Sequence, residues 1–365
     1  MTIVGADTIT GAIRNIVADR LENLGLQKLR LPLGVSENEP NLPIFISTDL
    51  KTKKRVVVLF YEHTQDIGIF AHRIIGGKGG INAGSAVDFV KYVQAQTTAP
   101  DNADSPGVIL ANMGQLRWWR CGKRAVTQTS WYSLPQKSAV EKPYRFDMKK
   151  NVIPDNGTPQ EHVAYVFNYV IDGLVDPSAK LSIIGVSDGA TQVSTFLEDA
   201  ECFKKWGPRI SAFAALATCY QADEIQNCDF RNWLLNVSCH HCLAFCLQTN
   251  KSQRGRAYVV SPEPAGSFIA GPQGGKHIPA YGCPVFSLSE PYYSEAMLPK
   301  GYRILVDWFQ EVAADSNYAN PTFERIDVGD ESDEDHEFAW NTGDGTWDGV
   351  KGAGETGFVE PEEES

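Results

Sequence analysis

Residues 185 to 189 of this 365-residue chain read Gly-Val-Ser-Asp-Gly. This is the G-x-S-x-G spacing, in which small residues let a strand turn sharply into a helix and lift a serine hydroxyl above the edge of a sheet. The context suits that geometry. "KLSIIGV" (180 to 186) is a β-rich apolar run, and a helical pattern covers 189 to 205. Ser187 is therefore the candidate nucleophile.

A serine nucleophile needs an acid and a histidine later in the chain, in the order Ser, Asp or Glu, His. The acid position falls in "RAYVVSPEP", where Glu263 is available. The histidine position falls in the loop before the last helix, "EPYYSEAML" (290 to 298). That loop holds Tyr292 and Tyr293 and no histidine. Without a base that titrates near neutrality, a serine hydroxyl is a poor nucleophile. His277, in "AGPQGGKHIPAYG", is the displaced candidate, although it precedes the last strand. His63 and His72 flank the loop after the strand at 55 to 61 and read as packing or polar-network residues. The expectation is a domain that has kept the serine turn and lost catalysis. The alternative is a serine esterase or acyl hydrolase using Ser187, Glu263 and His277. The glycine-rich "GGKGGINAGS" (76 to 85) lacks the G-x-x-x-x-G-K-[ST] order of a phosphate loop. No cofactor and no metal are expected.

These residues have to be carried by a scaffold. "RVVVLFY" (55 to 61), "GVILANM" (107 to 113), "KLSIIGV", "ISAFAALATC" (210 to 219), "RAYVVS" (256 to 261) and "CPVFSLS" (283 to 289) are nearly unbroken apolar runs, as in strands buried on both faces. Helical patterns alternate with them at 7 to 24, after Ser85, from Thr158, and at 189 to 205, 223 to 235 and 299 to 313. Thr158, Pro159 and Glu161 form a capping-box start with proline at the first helical position. Residues 26 to 50 read as irregular, as does a Trp-rich stretch reaching about 156. Strands alternating with helices predict a doubly wound, mostly parallel α/β sheet of α/β-hydrolase type.

Charge divides the chain. Residues 327 to 365 hold fourteen Asp or Glu against one Lys, while the whole chain sums to −12. Residues 1 to 326 are therefore near +1. The acidic stretch has no periodicity and little to bury, and is expected to be a disordered tail. Phe338, Trp340, Trp347 and Phe358 dot it, which suits basic protein partners such as histones. A near-neutral body and an anionic tail give no reason to expect direct nucleic-acid binding. No run of 18 apolar residues suggests a membrane span. The eight cysteines follow no secreted-framework spacing and read as reduced thiols.

Five segments carry a family resemblance: "LENLGLQKLRLP", "GGKGGINAGSAVDFVK", "QTSWYSLPQKSAV", "GTPQEHVAYVF" and "KGYRILVDWFQEVAADSNYANPTFE". Together they resemble a fungal stand-alone member of the Arb-two (argonaute-binding protein two) domain family, over roughly residues 10 to 326. The family is related to the family with sequence similarity 172 and to the C-terminal domain of class II histone deacetylases. The resemblance implies an α/β-hydrolase-like fold, nuclear localisation, and argonaute-type or chromatin partners in small-RNA-guided heterochromatin formation and gene silencing.

The stretch "NVSCHHCLAFCLQTNKSQR" (236 to 254) resembles a metal site, with Cys239, His240, His241, Cys242 and Cys246 close together. Adjacent ligands do not easily turn toward one ion, and structural sites draw spaced pairs from two places. A different reading fits better. Val237-Ser238 is what a fungal intron start encodes, Thr249-Asn250 a branch site, and Gln253 an intron end. Residues 237 to 253 are seventeen codons, or 51 nucleotides, at a position where fungal relatives have almost none. They read as translated intron, with an ordinary insertion loop as the alternative, and sequencing the mature message across this junction decides between them.

Overall fold

The computed structural model describes residues 3–97, 105–136, 138, 140–234, 254–275 and 277–320. These belong to a first compact unit, Met1–Arg325; the second, Ile326–Ser365, lies wholly outside them, as does the 237 to 253 stretch. The expected acidic tail and the cysteine–histidine cluster therefore fall outside the described residues.

Eleven described strands run in chain order: β1 (Leu26–Leu31), β2 (Leu42–Ser47), β3 (Arg55–Phe60), β4 (Gly107–Leu110), β5 (Arg117–Trp119), β6 (Arg124–Val126), β7 (Lys180–Val186), β8 (Ile210–Leu216), β9 (Gly255–Val259), β10 (Phe268–Ala270) and β11 (Val285–Ser287). Nine of them form one sheet in the order β1-β2-β4-β3-β7-β8-β9-β11-β10. The central pairs from β4 through β11 are all parallel, and the antiparallel pairs lie at the two edges. The order reverses at β4-β3, next to β7, and ligands of open α/β sheets bind outside the carboxyl ends of strands at such a switch point.

Both faces of this sheet are covered, which explains the unbroken apolar runs. Val56, Val58 and Phe60 point to one face with Ile183, Phe167, Val193 and Trp206, while Val57 and Leu59 point to the other with Ile184, Phe89, Leu305 and Trp308. Alternate residues of one strand thus enter two separate cores, so each position must be apolar. The helix Asp188–Glu198, which carries the serine turn, packs on the first face; the helices Ala86–Gln94 and Ser294–Ala314 pack on the second.

Local starts follow the chemistry of the caps. The Thr158 hydroxyl accepts from the Glu161 N–H, and the Glu161 carboxylate accepts in return from the Thr158 N–H, at 3.2 and 3.1 Å. The helix that follows carries His162, fully buried between two partners. Its Nδ1 meets Asn156 Oδ1 at 2.8 Å, and its Nε2 accepts from the Asn112 N–H at 3.0 Å. Burial drops its pKa to about 3, so the ring is neutral and both nitrogens are used.

The structure corrects three local expectations. Residues 26 to 50 hold the edge pair β1 and β2 rather than irregular chain. The helix expected at 189 to 205 is two helices, Asp188–Glu198 and Ala200–Trp206, because Asp199 leaves the helix and its carboxylate accepts from the Cys202 N–H at 2.9 Å. The Trp-rich stretch contains the hairpin β5-β6 and the short helix Gln128–Tyr132 around a small core of Val126, Trp131 and Leu134. The five cysteines among the described residues are unbridged. No helix among the described residues is long and apolar enough to cross a membrane.

Candidate active site

Ser187 follows the last residue of β7 and adopts φ 52°, ψ −118°, a conformation that side chains rarely take. Two glycines permit it. A β-carbon on Gly185 would stand 2.7 Å from the Ala190 nitrogen, and one on Gly189 would stand 2.7 Å from the Phe60 carbonyl carbon. The turn is pinned by the Ser187 N–H donating to the Leu216 carbonyl at 2.8 Å, and by the Ser187 carbonyl accepting from Ala190 at 3.0 Å. This is the nucleophile elbow expected from the motif. The Ala190 and Thr191 N–H groups both donate to the Ser187 carbonyl and close the first turn of the helix Asp188–Glu198.

The rest of a triad is not joined to it. The Ser187 hydroxyl makes no hydrogen bond to any described residue, so no described imidazole lies within hydrogen-bond reach of it. Glu263 is exposed beyond β9; its backbone N–H donates to Ser261 and its carbonyl accepts from Ser287, while its carboxylate bonds to no described residue. His277 is exposed in the turn where the Gly275 N–H meets the Ile278 carbonyl, and its ring bonds to no described residue.

A different polar network occupies the place of the late histidine. Glu290 is buried; its carboxylate accepts from the N–H groups of Tyr292 and Tyr293 at 2.8 and 3.0 Å and pairs with Lys300. This folds the late loop back on itself. The next residue, Ser294, opens the last helix, and its hydroxyl donates to Glu62 Oε1 at 2.6 Å. Glu62 is buried in the loop after β3. Burial raises its pKa; the Ser294 and Thr64 hydrogen bonds hold it down, and the nearby Glu295 and Asp188 charges push it up. Beside it, Tyr61 donates to the Glu295 carbonyl at 2.6 Å, and Arg73 lies 3.4 Å from the Tyr293 ring centre while donating to the Glu295 carboxylate at 2.8 Å. The last helix is thus tied to the loop after β3 by a hydroxyl, a carboxylate and a guanidinium.

His63, read from the sequence as a packing or polar-network residue, is part of a polar pair. Its Nδ1 contacts the Asp188 carboxylate directly beside the elbow, with both side chains half exposed. The pair spans 125 residues of chain; the only sequence signal was that both residues flank strand ends meeting at the switch point.

Two cavities among the described residues each have a volume of about 10 Å³, and neither is lined by Ser187. One lies beneath the loop after β3, lined by Tyr61, Glu62, Phe70 and Met113 among others, and holds about one water. Small-molecule sites usually offer roughly 300 Å³ or more. No three His, Cys, Asp or Glu side chains among the described residues are grouped to hold a metal ion.

With the elbow and strand order established, sequence similarity adds the lineage. The Arb2 domain matches residues 6–265, which is most of the chain. The chain belongs to the Arb2 domain family. No curated protein sequence matches it. Among solved structures, it is similar to an esterase of Pyrococcus furiosus (11% identity, 56% of this chain, 53% of that one, TM-score 0.26). It is also similar to an arylesterase (12%, 81% and 92%, TM-score 0.31) and to Est1E from Butyrivibrio proteoclasticus (10%, 80% and 100%, TM-score 0.33). The chain spans about half the length of the Pyrococcus esterase. At such values the α/β-hydrolase-like character of this Arb2 domain rests on its own strand order and elbow.

Proposed function

We propose that this Arb2 domain is a non-catalytic interaction module on an α/β-hydrolase-like scaffold. One observation carries the reading: no described imidazole is bonded to Ser187, and the late loop that should carry the histidine holds Tyr292, Tyr293 and Ser294, whose hydroxyl is committed to the buried Glu62 carboxylate. A hydroxyl cannot take the Ser187 proton at neutral pH, so the elbow lacks the base that makes it a nucleophile.

Within this reading, the family kinship supports a nuclear role in small-RNA-guided or histone-deacetylase-linked silencing, with argonaute-type or chromatin proteins as partners. The acidic residues 327 to 365 supply the attraction for a basic partner. Affinity purification of the full chain from its own cells, with mass spectrometry of what accompanies it, is expected to return such partners; a preparation free of them contradicts the silencing role. Binding of purified core histones is expected to weaken steeply with added salt, and deletion of 328 to 365 is expected to remove most of that dependence. Equal affinity with and without those residues across a salt series would rule the tail out as the docking element.

A second reading has its own observation. His63 stands at the elbow with Asp188 as its orienting carboxylate. If the ring shifts toward Ser187 when substrate binds, the domain is a serine esterase with its base on the loop after β3. Ester hydrolysis abolished by both Ser187→Ala and His63→Ala would select this reading over the first.

A further inference from the structure

We infer that the excursion between β4 and the helix starting at Pro159 carries a binding surface for single-stranded nucleic acid. The near-neutral sum over residues 1 to 326 hides an uneven distribution. Residues 117 to 150 hold nine Lys or Arg against two Asp or Glu, a local net of +7, so the remainder of that body is near −6. Arg120, Lys123, Lys142, Arg145, Lys149 and Lys150 are exposed. Lys150 pairs with Asp147 at 3.7 Å and Lys123 donates to Asn38 at 2.9 Å, and all six of these cationic side chains still face solvent.

Aromatic groups are interleaved with these cations. Tyr132 is 69% exposed and Tyr144 40% exposed, with Met148 at 74%. They sit on one small packed unit rather than on scattered loops. Trp131 and Phe146 meet edge to face at 5.5 Å, and the Arg117 guanidinium lies 4.8 Å from the Phe146 ring and 5.7 Å from the Tyr132 ring. The Tyr144 hydroxyl donates to the Pro135 carbonyl, three residues from Tyr132. Exposed rings flanked by cations match the alternation of bases and phosphates along a single strand: bases stack on the rings and the cations neutralise the backbone. An acidic peptide offers the charge but no planar groups for the two rings. The overall charge of −12 does not defeat this, because exposed charges are screened beyond about 8 Å at physiological salt and the patch acts at contact.

The test uses the full chain and a fluorescein-labelled oligouridine, followed by anisotropy over a salt series. Binding is expected, with a slope of log affinity on log salt no steeper than about −4, since six exposed cations release about 0.7 counterion each. The triple variant Arg145→Glu, Lys149→Glu, Lys150→Glu is expected to bind roughly tenfold or more weakly. Tyr132→Ala and Tyr144→Ala are expected to lose about fivefold each while keeping the salt slope. All replaced side chains are exposed, so thermal melts of the variants should match the parent. Absence of binding at low salt, unchanged affinity in the folded tyrosine variants, or displacement of the oligonucleotide by polyglutamate at equal charge would each overturn the proposal; the last result would assign the surface to an acidic protein segment.

Discussion

Replacing Gly189 by alanine is expected to destabilise the domain by about 3 kcal/mol or more. The added carbon would stand 2.7 Å from the Phe60 carbonyl carbon and 2.9 Å from the Tyr61 oxygen. Both are backbone atoms at the end of β3, an inner strand of the sheet, so neither can swing aside as a flexible side chain would. Relief requires the elbow helix to move away from the sheet, opening the core around Ala190, Val193 and Phe60. Gly173 is the control. A β-carbon there meets nothing within 4 Å, and Gly173→Ala should be neutral or stabilise by up to about 1 kcal/mol through helix propensity. Chemical denaturation of both variants decides the matter. A Gly189→Ala protein as stable as its parent would mean that the elbow is not packed against β3 as described.

The second large effect is a pH dependence from His162. In the fold its pKa is about 3, against 6.5 for the free side chain. The sign follows from proton uptake. Above about 6.5 the ring is neutral in both states and its contribution is complete. As pH falls below that value the unfolded chain binds a proton that the fold refuses, and stability is lost at up to about 1.4 kcal/mol per pH unit until the folded ring titrates near 3. Other groups titrate at the acid end. Glu62, raised by burial, works in the opposite direction, while Asp199 and Glu290, lowered, work in the same direction as His162. A variant isolates the histidine. His162→Gln can still donate to Asn156 and accept from the Asn112 N–H, yet does not titrate. It is expected to be about 1–3 kcal/mol less stable at pH 8 through poorer geometry. That gap should then close and reverse as pH falls from 6.5 to 4.5. Parallel stability curves for the two proteins over that range would show that His162 is not the buried neutral ring described.

Much of this was legible in the sequence because it is local. The G-x-S-x-G elbow lies within five residues, between a strand and a helix whose patterns are themselves local. The capping box at Thr158 spans four residues. The parallel centre of the sheet announced itself because burial on two faces forces each position of β3 and β7 to be apolar. The edge strands hid for the converse reason. β1 reads LQKLRL, with its middle residues exposed or half-buried, as edge strands carry charges that discourage further pairing. The break at Asp199 was overlooked although Asp is a favoured cap, because the helical spacing continues across it.

The candidate site was only half legible. Ser187 could be found, and the missing late histidine could be noticed. The polar pairs of the site could not, since Glu62 and Ser294 are 232 residues apart and His63 and Asp188 are 125 apart. Such pairs are fixed by the strand order, which brings the ends of β3 and β7 and the last loop together, and no short pattern encodes it. The basic excursion was masked by a different effect: summing charge over the body averaged its +7 against −6 elsewhere.

The central claim, that the elbow serine lacks an effective base, is tested most directly by fluorophosphonate labelling of the purified full chain at neutral pH. Such a probe phosphonylates a serine, with fluoride as the leaving group, in proportion to its activation and needs no guess at the substrate. With Ser294 committed to Glu62 and no described imidazole bonded to Ser187, no labelling above that of the Ser187→Ala variant is expected. Stoichiometric modification of Ser187, lost in Ser187→Ala, would contradict it.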